Sequence, residues 1–253
     1  MTLNQRNTTL RTLISVHGAA VILVVVWLVW QSPEISTEHA GALTAATATT
    51  VIGMIYGVLF LRLFRRSRSI PIFFMVVFFV LTMLDALKWT QPAFAQSITP
   101  YLGVLVSRVI MFGYVGGALA IFASGLYADA PRLKWPGISL VMGGLLSGML
   151  VWVVPVDAAV LPPNLVYPAG VPAPVNTLTA ILFFLGVLNY SEQAIVRQDL
   201  RKGGIVLAVL VVVVGRVLLY QRTDLLSIVL GGVLFISGAA VYGFVNYRDY
   251  LVS

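Results

Sequence analysis

Residues 63 to 89 read LFRRSRSIPIFFMVVFFVLTMLDALKW, and this stretch decides the fold. It opens with a basic turn, continues from Pro71 as an apolar run, and ends on Asp85, Lys88 and Trp89. An apolar run of about 20 residues is long enough to cross the hydrocarbon core of a bilayer as a helix. Proline suits the first turn of a helix, because the N–H group it lacks would have no partner there. The stretch therefore predicts a transmembrane helix with charged side chains near one end.

The same pattern recurs along the whole chain of 253 residues. Its mean hydropathy is +0.97, with 59% hydrophobic and only 10% charged residues, which is too little polar surface for a soluble domain. Apolar segments lie at about 11–31, 42–64, 71–89, 101–126, 136–154, 173–190, 204–220 and 225–246. We therefore predict an all-α, polytopic integral membrane protein with eight transmembrane helices, forming a single membrane domain over residues 1–253.

Basic residues separate sharply between the two sides of this predicted bundle. If the N-terminus is cytoplasmic, twelve of the 16 lysines and arginines lie on the cytoplasmic side, and the other four are Lys88, Arg108, Arg216 and Arg222. Cytoplasmic loops of membrane proteins carry such an excess. We therefore predict both termini in the cytoplasm, in an inner or plasma membrane. This bias accounts for the net charge of +7, so no nucleic-acid partner is expected.

The first apolar segment and the two ends of the chain allow further interpretations. The run after Arg11 is longer than the core of a signal peptide, which favours a retained first helix over cleavage near residues 40–42. Gly117-Ala118 leading to Tyr127, and Gly238-Ala239 leading to Tyr247, hint at a parallel repeat of four plus four helices, with halves 1–130 and 131–253. The alternative is that apolar helices resemble one another by composition.

One part of the chain resembles a known family. The stretch Leu63 to Pro71, followed by an apolar helix that ends on Met83-Leu84-Asp85, is similar to an uncharacterised family of small four-helix bacterial membrane proteins. The resemblance covers about residues 42–130. That family has an arginine-rich turn, a Ser-x-Pro and an acidic residue late in the next helix. Because the function of the family is unknown, the resemblance implies a helical membrane architecture and no catalytic or binding activity.

Four charged residues form the candidate ligand-binding site: Asp85, Lys88, Arg108 and Arg216. Each lies near the non-cytoplasmic end of a predicted helix, and ionisable groups at membrane depth tend to mark function. We expect the three cations to hold an anion, while Asp85 positions them or carries a coupling proton. A second interpretation pairs Asp85 with Arg108 or Arg216 to stabilise the bundle, with Lys88 reaching to the interface. A proton or ion relay is a third.

Known catalytic motifs are absent from the sequence. It has no cysteine, no H-E-x-x-H and no G-x-S-x-G, so no catalytic residue, metal ligand or cofactor is assigned. The leading hypothesis is a non-enzymatic membrane protein that binds or moves a small anionic or amphiphilic ligand, including lipid. The alternative is a structural or assembly subunit, and a membrane-embedded enzyme comes third. The expected partners are membrane lipids, a small anion, and a membrane protein or a second copy of the chain.

Three other features allow either a functional or an architectural interpretation. The proline-rich loop 155–174 would be either a rigid connection or a fixed cap over a cavity. His17, on the first helix, is expected to pack or to bond within the bundle. The small-residue pairs Gly113/Gly117 and Gly144/Gly148 predict close helix packing or an oligomer interface.

Overall fold

The computed structural model describes residues 3–31, 37–67, 69–96, 100–129, 136–157, 161–167, 172–197 and 200–252, and these form an all-α bundle. The helices are α1 (Leu3–Gln31), α2 (Ala40–Leu63), α3 (Ile70–Thr82), α4 (Gln91–Gln96), α5 (Pro100–Asp129), α6 (Pro136–Val153), α7 (Pro172–Arg197), α8 (Leu200–Gln221) and α9 (Leu225–Val252). A 3₁₀ segment, Met83–Thr90, joins α3 to α4, and a 3₁₀ turn, Thr37–His39, precedes α2.

Within the described ranges, seven helices are long and apolar enough to cross a membrane, which confirms the membrane class. They span Ala40–Leu63, Ile70–Phe94, Tyr101–Ala128, Pro136–Val153, Val175–Val196, Lys202–Gln221 and Leu225–Arg248. These seven correspond to the second through eighth predicted segments. Helix α1 covers the first predicted segment but is not among the seven. The count of eight spans and the side of the termini stay predictions, as do the repeat and the family resemblance.

The third predicted helix is not α-helical throughout, because its last part is the 3₁₀ segment that carries Asp85 and Lys88. Pro92 explains why the α-helical hydrogen-bond pattern is lost at the end of this segment. A proline has no N–H group and its ring clashes with the carbonyl four residues earlier, so the Lys88 carbonyl cannot accept an α-helical hydrogen bond from residue 92. That carbonyl accepts from the Gln91 N–H group instead, in the tighter 3₁₀ pattern.

Helix α3 is the central element of the bundle. Residues 72–80 are buried all the way round, since α1, α2 and α5 pack against it. Its phenylalanines interlock with aromatic rings of neighbouring helices, as where Phe79 stacks on Phe235 at 5.7 Å between ring centroids. Small residues let α5 approach α3, because a Cβ added to Gly113 would lie 2.8 Å from the Leu81 carbonyl oxygen. Close packing is thereby confirmed for Gly113/Gly117.

An arginine ties α1 to the turn between α2 and α3. The guanidinium of Arg6 donates to the carbonyl oxygens of Phe64, at 2.9 Å, and of Ser67. The Phe64 carbonyl lies at the C-terminal cap of α2, where the last carbonyls of a helix have no intrahelical donor and carry partial negative charge, and the Ser67 carbonyl lies in the following turn. We call this end of the bundle, which also carries the exposed Arg65 and Arg66, the basic end. At the opposite end, Gly41 at the start of α2 lies against the Thr223 carbonyl between α8 and α9.

Candidate functional site: a buried charged cluster

An ion pair between two distant parts of the chain forms the centre of the candidate site. The guanidinium of Arg216 donates to both carboxylate oxygens of Asp85, at 2.5 and 2.9 Å. The two side chains are 1% and 0% exposed. A bidentate pair of this kind fixes both distance and orientation. It joins the 3₁₀ segment to α8, which lie 131 residues apart in the chain.

The 3₁₀ geometry explains why Asp85 and Lys88 face the same neighbour. Side chains three residues apart eclipse one another on a 3₁₀ helix, whereas on an α-helix they diverge slightly. Both side chains therefore point toward α8, and both are buried. Helix α8 supplies Arg216 and, four residues later, Tyr220 on the same face. We call Asp85, Lys88 and Arg216 the charged cluster.

Two tyrosines that the sequence analysis did not select enclose the cluster. The rings of Tyr114 on α5 and Tyr220 on α8 stack in parallel, with centroids 3.8 Å apart and planes 4° apart. The Arg216 guanidinium carbon lies 5.5 Å from the first ring and 5.3 Å from the second. Ring faces attract cations, more strongly where water is excluded. The spacing of Tyr220 from Arg216 was a usable signal in the sequence, but nothing there pointed to Tyr114.

Lys88 is buried beside the ion pair without a carboxylate of its own. Its ammonium nitrogen lies 3.4 Å from the Tyr220 carbonyl oxygen and 4.7 Å from the centre of the Tyr220 ring. Its side chain is 1% exposed, so it points into the bundle. An ammonium group has three donors, and this long hydrogen bond uses one of them. With ordinary protonation the cluster holds two cations and one anion.

The structure places Arg108 away from the charged cluster, contrary to the expected convergence of four residues. Its guanidinium donates to the carbonyl oxygens of Val151, at 3.1 Å, and of Trp152, and lies 5.1 Å from the Trp152 ring. These carbonyls belong to the last turn of α6, which needs donors and favours a cation. Arg108 thus caps α6 as Arg6 caps α2.

Substitution of Arg108 by glutamine is expected to loosen α6 without disturbing the cluster. Hydrogen bonds to charged groups contribute about 1.5–3 kcal/mol, and part of this is lost with the guanidinium. The unfolding free energy, measured by titrating a denaturing detergent into mixed micelles, should fall by roughly 1–3 kcal/mol. Substitution of the exposed Arg222 by glutamine is the control, and it should leave the free energy unchanged. Equal effects of the two substitutions would contradict the capping role.

The proline-rich loop folds back over the opposite end of the bundle. Leu165 is fully buried against Ala42 and Leu43 at the start of α2, with Trp89 packed alongside. Leu165 has a φ of 59°, a left-handed conformation that costs energy for a branched residue and requires support from its surroundings. Among the described residues of this loop, Leu165 thus covers the bundle directly beside Trp89, the neighbour of Lys88. We call this part of the loop the cap, and a cavity beneath it stays a prediction.

A hydrogen-bond network attaches the same loop to α4 and α5. The Tyr167 N–H group donates to the Ser107 hydroxyl at 3.0 Å, and the Gln91 amide donates to that hydroxyl at 2.8 Å and to the Gly103 carbonyl at 3.0 Å. The Gln91 amide oxygen is buried with no hydrogen-bond partner. The end of the composite third span is therefore tied to the cap.

A large cavity lies away from the charged cluster. It has a volume of about 460 Å³ and is bounded by α1, α3, α5 and α6, and no member of the charged cluster lines it. His17 is at its wall and bonds to the Leu13 carbonyl of its own helix at 2.8 Å. In the part of the chain that the structure describes, no three histidine, aspartate or glutamate side chains are close enough to hold a metal ion.

Comparison of the chain with protein-family models, with curated proteins and with solved structures gives no match.

Proposed function

We propose that this chain is a non-enzymatic membrane protein of eight spans, with both termini in the cytoplasm, that binds a small anion at the charged cluster. The observation that carries the proposal is the surplus of one cation among Asp85, Lys88 and Arg216. Both oxygens of Asp85 accept from Arg216, so Lys88 interacts with the Asp85 charge through space, while its direct contacts are a carbonyl and a ring face. An uncompensated charge is expensive at membrane depth. An anion bound beside Lys88 would balance it.

Burial limits the size of the anion. Lys88 and Arg216 are each 1% exposed, so a bulky amphiphile has no room beside them. Inorganic phosphate or a short carboxylate fits this constraint better than a lipid headgroup with its chains. One surplus cation among buried side chains favours a small anion, because electrostatic attraction is stronger where the dielectric constant is low.

The 3₁₀ segment is the element that would admit the anion. Its hydrogen bonds are less favourable than those of an α-helix, runs longer than 3–4 residues are uncommon, and such stretches inside helices often mark hinges. This one is eight residues long and carries two of the three charged side chains. Movement of the segment, together with the loop at Leu165, would open Lys88 toward the near membrane surface.

Anion-dependent stabilisation of the purified protein tests the proposal. In lipid nanodiscs in a gluconate buffer, inorganic phosphate or acetate should raise the thermal unfolding midpoint of the wild type in a saturable manner. Binding to the folded state alone stabilises by mass action. Lys88→Gln should abolish the shift, because it removes the surplus cation at nearly constant size.

The matched controls are Arg108→Gln and Arg222→Gln, which remove a cation outside the cluster. Both should retain the anion-dependent shift. If wild type and Lys88→Gln respond equally, or if neither anion stabilises the wild type, the proposed site is wrong. A loss of response in the two controls would point to nonspecific charge screening and would likewise contradict the proposal.

A purely structural role is the second candidate, and the Asp85–Arg216 pair is the observation that favours it. The pair joins the 3₁₀ segment to α8 in the bundle interior. In that case the cluster would serve folding or assembly with a membrane partner, and no added anion would change the unfolding midpoint.

A further inference from the structure

The cavity of about 460 Å³ lies in the half of the bundle near the basic end. It is lined mainly by apolar side chains of α1, α3, α5 and α6. Its volume falls in the range of ligand pockets, about 300–1,000 Å³. Met142 and Leu146 on its wall are 50% and 55% exposed, so the cavity is open along one side, toward the surroundings of the bundle. Because these helices cross the membrane, those surroundings are lipid.

Helix α6 creates the opening. It is the least buried of the seven spans, with 17% of its apolar window inside the bundle. Its main neighbour is α5, and no heavy atom beyond its own helix lies within 4 Å of a Cβ added at Gly143, Gly144 or Gly148. Among the residues that the structure describes, nothing packs closely on Gly144/Gly148, and an oligomer interface there stays a prediction. Two of these glycines, Gly143 and Gly144, line the cavity, whereas Gly148 does not.

The length of the cavity matches one leaflet. Along α6 its lining extends from Ser139 to Ser147, which is about 12 Å at 1.5 Å per residue. On α1 it extends from Thr9 to His17, again about 12 Å. One leaflet contributes roughly 15 Å of a hydrocarbon core about 30 Å thick. A single acyl chain that enters at the interface would thus fill the cavity to near the bilayer centre.

The interface end of the cavity is polar and lies at the basic end. Tyr127 and Ser139 share a hydrogen bond of 2.6 Å between their hydroxyls, and Thr9 lies at the same end. The basic end also carries the exposed Arg65 and Arg66. Hydroxyl groups at the mouth of an apolar cavity, at an end of the bundle that carries exposed cations, complement a phosphate or glycerol headgroup above an acyl chain.

We propose that the groove between α1, α3, α5 and α6 holds one acyl chain of an anionic phospholipid, whose headgroup lies near Tyr127 and Ser139 at the basic end. This site is separate from the charged cluster, and either can exist without the other.

Native mass spectrometry of the full chain, extracted in a mild detergent and supplemented with phosphatidylglycerol, tests the proposal. The wild type should retain one phosphatidylglycerol at a concentration where phosphatidylcholine does not bind. Gly144→Leu should reduce the association constant by about tenfold or more, since a leucine side chain would occupy the groove. Such a loss corresponds to about 1.4 kcal/mol of binding free energy.

Gly148→Leu is the matched control, because it adds the same side chain to the same helix in equally open space outside the groove. It should bind phosphatidylglycerol as the wild type does. Equal loss in both variants would show that the whole face of α6 contacts a partner, and retention in Gly144→Leu would show that lipid binds elsewhere. Either result overturns the groove proposal, as does equal binding of phosphatidylcholine. Thermal midpoints within a few degrees of the wild type establish that both variants are folded.

Discussion

Asp85→Leu is expected to destabilise the protein more than Arg216→Met does, although each removes one partner of the same ion pair. The first substitution leaves Lys88 and Arg216 buried together with no carboxylate. The second leaves Asp85 and Lys88, which have opposite charges and lie three residues apart on one face. Removing one partner of a buried pair costs roughly 3–5 kcal/mol, and we expect Asp85→Leu at the upper end and Arg216→Met below it.

The unfolding free energies in mixed micelles measure this difference. The double variant Asp85→Leu with Arg216→Met should recover most of the loss, because it removes one charge of each sign and leaves the same single surplus cation, Lys88, as in the wild type. A larger loss for Arg216→Met than for Asp85→Leu would contradict the charge balance on which the anion site depends. Failure of the double variant to recover would indicate that the two residues act independently.

Gly215→Leu is expected to separate α8 from α9 and to destabilise the protein by about 1–3 kcal/mol or more, as overpacking does. A Cβ added at Gly215 would lie 2.5 Å from the Phe235 backbone nitrogen and 2.7 Å from the Gly231 carbonyl oxygen. Backbone atoms cannot rotate away as a side chain can, so the helices themselves must move. Because Arg216 is the next residue, the anion-dependent shift should fall as well.

Gly232→Leu is the control for the same pair of helices. A Cβ added at Gly232 meets no atom within 4 Å, so the substitution should leave the unfolding free energy unchanged or slightly raised. Both free energies come from the same denaturing-detergent titration. Equal effects at Gly215 and Gly232 would show that α8 and α9 are not in the described contact.

The hydrophobic pattern was sufficient to predict the membrane class and the positions of the spans. Predicted segment 71–89 matches the span Ile70–Phe94, and segment 42–64 and the five segments from 101–126 onward match the other spans to within about six residues, because an apolar run and its flanking turn residues indicate span length directly. The first predicted segment, 11–31, is not among the seven spans. A charge in an apolar helix requires a partner, and the sequence indicated Arg108 or Arg216 as the partner of Asp85.

Other features of the site depend on which helices pack against each other, and the hydrophobic pattern does not determine those contacts. Arg108 was expected in the cluster because it lies near the correct end of its helix, but the nearest unsatisfied carbonyls were those of α6. Tyr114 gave no signal, because its role arises only when α5 and α8 come together. The 3₁₀ geometry at Lys88 had a usable signal in Pro92, since a proline removes the N–H group that an α-helix would need.

The most direct test of the account compares wild type with Lys88→Met, each with and without inorganic phosphate, by thermal unfolding in nanodiscs. If Lys88 is a surplus buried cation that an anion balances, Lys88→Met should be at least as stable as wild type in gluconate. Wild type should become the more stable of the two once phosphate saturates. A variant that is strongly destabilised in both conditions, with no effect of phosphate on wild type, would contradict the account.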